Sequence, residues 1–424
     1  MIRVSTVRAL PRLILVAVLV AAVLPATASA SDHARAGLTP IVVFPAYHFT
    51  KLNVSVRGQT VDAACPRSGS FEDWFPRDQP SPTFSQVCQD ELLTLRYDQR
   101  SHRPIRLRFH EQRGVTVSII DYGKTASAPF YEPMYAALEA AGYVRDKDIR
   151  VAGYDARLTP DMGDFLRRTK RLIEQTYRAN GNRPVHLVGH SNGPIYAEYL
   201  LTHTSTAWKH TYIHGFSPIA GNLPGQGGIW YLLFTGLNVA DFTLPTTVEN
   251  ARSSARLYAS APSTYLSAAD PRIFGNSETV LADASAGRAY TTADYRAILA
   301  DAGIGWAKPI ADRYVGFLRM SNRSSFPGVD VYAEKGSGIE TLVGIGLPDL
   351  TRGQLLGPDA TFFTRDGDIN QEATTNDAIG AWAAMPCYHF SLTDNVGVDH
   401  FSLPGDPGVL ARLIANANTH RSNC

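Results

Sequence analysis

An α/β fold organised on a mostly parallel sheet is expected from three features of the sequence. Short apolar runs alternate with longer helical stretches, and those runs lack the polar alternation of a half-exposed strand. A glycine-flanked serine turn also joins one such run to the helix that follows it. In chain order, Ile41-Val42-Val43-Phe44 is an apolar run closed by Pro45, the pattern of a buried strand. A loop-rich stretch holding Cys65 to Cys88 follows, and residues 115–120 form a further strand candidate. Residues 130–141, stopped by Gly142, read as a helix, and 149–152 as a strand. Residues 165–179 form a longer amphipathic helix that stops near Gly181. Residues 185–188 are a strand and 194–203 a helix. From about 221 to 326 the alternation dissolves into Gly-, Ser-, Pro- and Ala-rich sequence, read as an inserted cap. Alternation resumes at 329–332 and ends in a helix near 409–418, with no internal repeat.

The 424 residues are 44% hydrophobic and 19% charged, enough for one large domain with insertions or two average ones. Lys and Arg number 40 against 39 Asp and Glu, so there is no basic excess for nucleic acid, which is not expected as a partner. The first thirty residues are a separate object. Arg3, Arg8 and Arg12 precede an apolar stretch over 13–24, and Ala28-Ser29-Ala30 supplies small residues for cleavage. Residues 1–30 therefore read as a secretory signal peptide, with 31–424 as the exported domain. The signal removes three Arg and no acids, leaving 37 basic against 39 acidic groups. No later segment reaches the length of an apolar membrane span.

Four cysteines, Cys65, Cys88, Cys387 and Cys424, fit an oxidising destination. They allow three pairings; Cys65–Cys88 with Cys387–Cys424 closes the shortest loops and costs least entropy. None of the spacings resembles a zinc site, and no metal is expected. Asn53-Val54-Ser55 and Asn322-Arg323-Ser324 match the glycosylation pattern, which matters only in a host that glycosylates.

The chemistry is expected at Gly189-His190-Ser191-Asn192-Gly193, between the strand 185–188 and the helix 194–203. A strand-to-helix turn this sharp crowds the serine backbone, and glycines two residues to either side remove the clashing side chains. The hydroxyl is then raised to the sheet's C-terminal edge at a helix N-terminus, where negative charge is favoured. This nucleophile elbow belongs to the α/β-hydrolase fold, whose chain order is Ser, then acid, then His. Asp368 follows the apolar pair Phe362-Phe363 and is the expected acid, with Asp366 its main rival and Asp377 and Asp394 weaker ones. His400 lies in a loop before the last helix and is the expected base; His389 and His420 are its rivals. The oxyanion requires two backbone donors, expected at Asn192 and at Tyr47 in the loop after the first strand.

These residues resemble the lecithin:cholesterol acyltransferase family, which includes lysosomal phospholipase and the phospholipid:diacylglycerol acyltransferases. The resemblance is closest over Ala141-Gly142-Tyr143-Val144-Arg145-Asp146 and Tyr154-Asp155-Ala156-Arg157-Leu158. It continues through the elbow to Ala207-Trp208-Lys209 and Ile213-His214-Gly215-Phe216. Residues 41–52, Asp121-Tyr122-Gly123-Lys124-Thr125, 328–332, Asp366-Gly367-Asp368 and Val398-Asp399-His400 match further segments in order. It covers most of 41–414, poorly inside the cap, and it favours Asp368 and His400 over their rivals. The resemblance implies a disulfide-closed lid loop from Cys65 to Cys88, with Phe71, Trp74 and Phe75 as lipid-interface candidates. It does not supply the second disulfide. Ile229-Trp230-Tyr231-Leu232-Leu233-Phe234 reads more readily as core than as a lipid contact.

The sequence departs from the family at Ala156, Asn192, Pro218-Ile219-Ala220-Gly221 and Gly367-Asp368-Ile369-Asn370. All lie near the expected site, and they leave the acyl acceptor and the headgroup open. The expected function is that of a secreted serine lipid acyl hydrolase or O-acyltransferase. It would form an acyl-enzyme from a phospholipid at a membrane or micelle surface, with no cofactor. A neutral-ester lipase or carboxylesterase, a serine peptidase, and a non-catalytic lipid-binding protein of the same fold are the alternatives.

Overall fold

The computed structural model describes residues 37–75, 81–100, 106–236, 247–276, 278–320, 325–420 and 422. The expected signal peptide, the 322–324 triplet and Cys424 of the second expected disulfide lie outside the described residues. Residues 37–424 form one compact unit.

Six strands make the central sheet: β1 (Ile41–Phe44), β2 (Ile149–Val151), β3 (Val185–His190), β4 (Ile213–Ile219), β5 (Val331–Ser337) and β6 (Phe390–Val396). Their order is β6-β5-β4-β3-β1-β2, and every neighbouring pair is parallel. The sequence reason is visible in β1. All four of its residues are buried, and they split by pleat: Ile41 and Val43 enter one apolar cluster, Val42 and Phe44 the other. A strand that is apolar on both sides needs cover on both sides. Tyr135 and Leu138 of the helix Glu132–Ala140, with Leu410 and Leu413 of Pro407–Ala417, cover the Ile41 face. Leu172 and Ile173 of Phe165–Ala179, with Ile195 and Leu200 of Gly193–Thr202, cover the Val42 face.

Outside this frame the sequence is less transparent. Residues 115–120 do form a strand, Val115–Ile119, but it is not part of the parallel sheet. It pairs antiparallel with Leu52–Arg57, which pairs in turn with Ser68–Asp73. The loop-rich stretch therefore contains a strand, and its second cysteine sits in the helix Gln86–Leu93. Cys65 and Cys88 are bonded, with Cα atoms 5.5 Å apart. Residues 221–326 hold several helices and the hairpin Thr279–Asp283/Arg288–Thr291. That hairpin joins a four-stranded sheet completed by Ile339–Leu347 and Thr361–Gly367, strands contributed from beyond residue 326. The bulky run Ile229–Thr235 is a helix buried along its whole length. Among the described residues, no helix is long and apolar enough to cross a membrane.

Candidate active site

Ser191 follows the last residue of β3 and precedes the helix Gly193–Thr202. Its φ is +58°, a left-handed conformation that a residue with a side chain adopts only under constraint. The constraint is local. The Ser191 amide donates to the Ile219 carbonyl at 3.0 Å, and its own carbonyl accepts from the Asn222 amide at 2.8 Å. A Cβ on Gly193 would fall on the Phe44 carbonyl, and one on Gly189 would lie 2.7 Å from the Pro194 nitrogen. Both glycines are there because the strand and the helix nearly touch.

His400 and Asp368 meet although they are 32 residues apart. His400 Nδ1 lies 2.9 Å from Asp368 Oδ2, and the His400 amide donates to the Asp368 carbonyl at 2.8 Å. Asp368 is wholly buried, and its Oδ1 accepts from the Asn370 and Gln371 amides at 3.1 and 2.6 Å. Those amide donors suit an ionised carboxylate, which can only accept. Nδ1 of His400 therefore carries a proton, which makes Nε2 the nitrogen with the lone pair in the neutral ring. The rival acids are engaged elsewhere: Asp366 accepts from the Gly338 amide, Asp377 pairs with Lys335, and Asp394 accepts from Ser337. His389 packs on Tyr332.

Ser191, His400, Tyr47 and Asn192 all line one cleft. Ala46, Phe49, Ile229, Leu232 and Phe401 give it apolar walls, while Gln226, Thr264, Ser267 and Asn370 add polar groups. Among the described residues, neither the Tyr47 nor the Asn192 amide has a hydrogen-bond acceptor. The Asn192 side chain is held away from this task, donating to Ser267 Oγ at 2.8 Å and accepting from Asn222 at 2.7 Å.

A second layer, not read from the sequence, connects these parts. The His190 ring lies between Tyr131 and the backbone of His400, with Nε2 3.0 Å from the His400 carbonyl oxygen. A carbonyl only accepts, so His190 Nε2 carries the proton and Nδ1 accepts from the Tyr131 hydroxyl at 3.0 Å. The Tyr131 oxygen in turn accepts from the Ala46 amide at 2.8 Å. Burial, with His400 nearby, holds the His190 pKa well below its usual value, so the ring is neutral. One chain of hydrogen bonds thus runs from the loop carrying Tyr47 to the loop carrying His400. Tyr131 lies 59 residues from His190, and no local pattern points to the contact.

The three aromatic residues expected at a lipid interface do not share one setting. Phe71 is a correction: it is 5% exposed, with its ring 5.1 Å from Phe84 inside the disulfide-closed segment. Its strand turns it inward, so it is a packing residue. Trp74 is half-buried beside Lys51, and Phe75 is half-buried, stacked 5.2 Å from Phe49 at the cleft wall.

Residues 96–267, which span the elbow, match the model of the lecithin:cholesterol acyltransferase family. The chain is similar to lecithin:cholesterol acyltransferases and lysosomal phospholipases. Bovine lysosomal phospholipase A and acyltransferase is 26% identical over 343 residues, covering 77% of this chain and 78% of the relative. The rice lecithin-cholesterol acyltransferase-like 1 protein is 26% identical over 413 residues, covering 91% and 89%. Human phosphatidylcholine-sterol acyltransferase is 24% identical over 312 residues, covering 68% and 65%. In fold, a chain of the crystal structure of the Tle4-Tli4 complex matches with a TM-score of 0.56 at 15% identity. That match covers 90% of this chain and 97% of the other, and it agrees with an α/β-hydrolase architecture. The family match begins after the Cys65–Cys88 segment and ends within the 221–326 stretch.

Proposed function

We propose that this protein is an exported serine acyl hydrolase or O-acyltransferase acting on phospholipids. The observation that carries the reading is a left-handed Ser191 at an elbow, lining the same cleft as a His400 whose Nδ1 is held by buried Asp368. Ser191 Oγ attacks the ester carbonyl while His400 Nε2 takes its proton. The tetrahedral oxyanion is held by the amides of Tyr47 and Asn192, both free of other acceptors among the described residues. Collapse of the intermediate expels the lysolipid alkoxide, which takes the proton from His400 and leaves an acyl ester on Ser191. Water or an alcohol then repeats the sequence in reverse. Asp368 keeps the imidazole in the tautomer with a free Nε2 and stabilises the imidazolium. No step needs a cofactor. Phe75, stacked on Phe49 of the cleft wall, and the adjoining Trp74 are the aromatic contacts proposed for the lipid surface.

Intact-protein mass after reaction with a fluorophosphonate, with phosphatidylcholine turnover measured alongside, tests the reading. The expected result is one adduct on wild type, none on Ser191→Ala, and fatty acid or a new ester as product. Folded wild-type protein that takes no adduct would remove the triad. Equal turnover of triacylglycerol and phosphatidylcholine would return the substrate to neutral esters.

A further inference from the structure

The cleft holds polar side-chain atoms that have no hydrogen-bond partner among the described residues. Gln226 is 6% exposed, and among the described residues its Oε1 has no hydrogen-bond partner; Asn370 Oδ1 is likewise buried and unpartnered among them. Both residues line the cleft with Ser191 and His400. Neither can easily turn away, because their backbones are pinned. The Gln226 amide donates to the Ser267 carbonyl at 3.0 Å, and its carbonyl accepts from Ala269 at 3.1 Å. The Asn370 amide donates to the carboxylate of Asp368, two residues before it. Whichever way each amide group is turned, it presents hydrogen-bonding atoms to the cleft. An acyl chain alone would bury these groups without partners, which is unfavourable.

Resting on the acyl-enzyme reading above, we propose that Gln226 and Asn370 form an acceptor subsite for a small polyol of the glycerol type. A triol suits the arithmetic of the site. One hydroxyl reacts, and the other two remain to bond the two amide groups. A long-chain monohydric alcohol or a sterol spends its single hydroxyl in the reaction and lays hydrocarbon over both amides. In the transfer step the reacting hydroxyl oxygen attacks the acyl carbonyl on Ser191 and its proton passes to His400 Nε2. The new ester C–O bond forms, the Ser191 Oγ–C bond breaks, and His400 returns the proton to Ser191 Oγ. The product is an acylglycerol in place of a fatty acid.

The test supplies the mature chain with a p-nitrophenyl acyl ester in the presence of glycerol and 1-octanol at equal concentration. Released p-nitrophenol counts the acyl-enzyme formed, and fatty acid, monoacylglycerol and octyl ester count its fates. Wild type is expected to make more monoacylglycerol than octyl ester. In Gln226→Leu/Asn370→Leu the ratio of monoacylglycerol to fatty acid should fall roughly tenfold or more, with no fall in the ratio of octyl ester to fatty acid. The milder Gln226→Ala and Asn370→Ala single variants should each move the same ratio in the same direction. An unchanged monoacylglycerol ratio in any variant that releases p-nitrophenol, or octyl ester as the main product of wild type, would overturn the subsite and leave the acyl-enzyme standing. Wild type that releases no p-nitrophenol, or Ser191→Ala that releases it normally, would overturn both.

Discussion

Ser191 stores strain that its surroundings must hold. A side-chain-bearing residue in the left-handed region costs on the order of 1–3 kcal/mol and persists only where neighbouring structure fixes it. Here the fixing elements are the two backbone hydrogen bonds of Ser191 and the close approach of Gly193 to β1. Gly193→Ala would put a methyl group onto the Phe44 carbonyl, at the strand end that feeds the Tyr47 loop. The expected outcome is a loss of about 1–3 kcal/mol in urea unfolding, with a far larger effect on chemistry. Fluorophosphonate labelling should slow by roughly a hundredfold, because small displacements of reacting groups are magnified in rate. Tyr131→Phe tests the buried relay on its own. It keeps the ring and deletes the hydroxyl that bonds both the Ala46 amide and His190. We expect kcat with phosphatidylcholine to fall roughly tenfold with little change in KM, while the variant still takes one fluorophosphonate adduct. A normal kcat would show that the relay is only packing.

Four of the six central strands were legible because their information is local, while β4 and β6 carry polar residues that mask them. β1 is a continuous apolar run, β3 opens on the mostly apolar Val185-His186-Leu187-Val188, and Phe165–Ala179 buries Phe165, Thr169, Leu172, Ile173 and Thr176 at helical spacing. The four-stranded sheet was not legible, since Leu281–Asp283 pair with Ile345–Leu347, and no short window contains both. Phe71 misled for a related reason. The segment from Phe71 to Phe75 shows three aromatic rings, but only strand pairing decides which of them faces Phe84. Ser191, Asp368 and His400 could be picked out by order and motif, whereas Tyr131, Gln226 and Asn370 are ordinary residues placed by tertiary contacts. Arg157 lies between these cases. The resemblance singles out its motif, and the fold supplies the reason: the guanidinium is 1% exposed and bonds Asp155, Glu111 and the Leu93 carbonyl. It ties the segment after β2 to the Gln86–Leu93 helix and to Glu111, just after the strand Arg106–His110. Arg157→Ala strands two carboxylates and should cost about 3–5 kcal/mol in denaturant unfolding. Arg157→Lys cannot reproduce the two-sided fork and should recover only part of that loss.

Over the whole molecule, a buried carboxyl pair joins the stretch after β4 to the loop that carries Asp368. Glu372 is 2% exposed, accepts from the Gly227 amide at 3.2 Å, and stands beside buried Glu278. Desolvation, then hydrogen bonding and repulsion from Glu278, push the Glu372 pKa well above the usual carboxylate range; burial raises Glu278 as well. The folded protein therefore retains a proton here that the unfolded chain releases near an ordinary glutamate pKa. With a raised folded pKa, the contribution is complete below the unfolded pKa and is lost as pH rises through the folded one. Stability should therefore decline from about pH 5 toward pH 8 and beyond, unlike the common case of salt-bridged carboxylates. Glu372→Gln keeps an uncharged donor and acceptor in the same place. It should flatten that decline, raising Tm at pH 8 while changing it little at pH 5, as read by calorimetry across the series. A variant whose Tm tracks wild type in parallel at every pH would show that the pair does not titrate in this range. Glu372 bridges back to Gly367 and lies four residues after Asp368, so the same titration bears on the loop that orients His400.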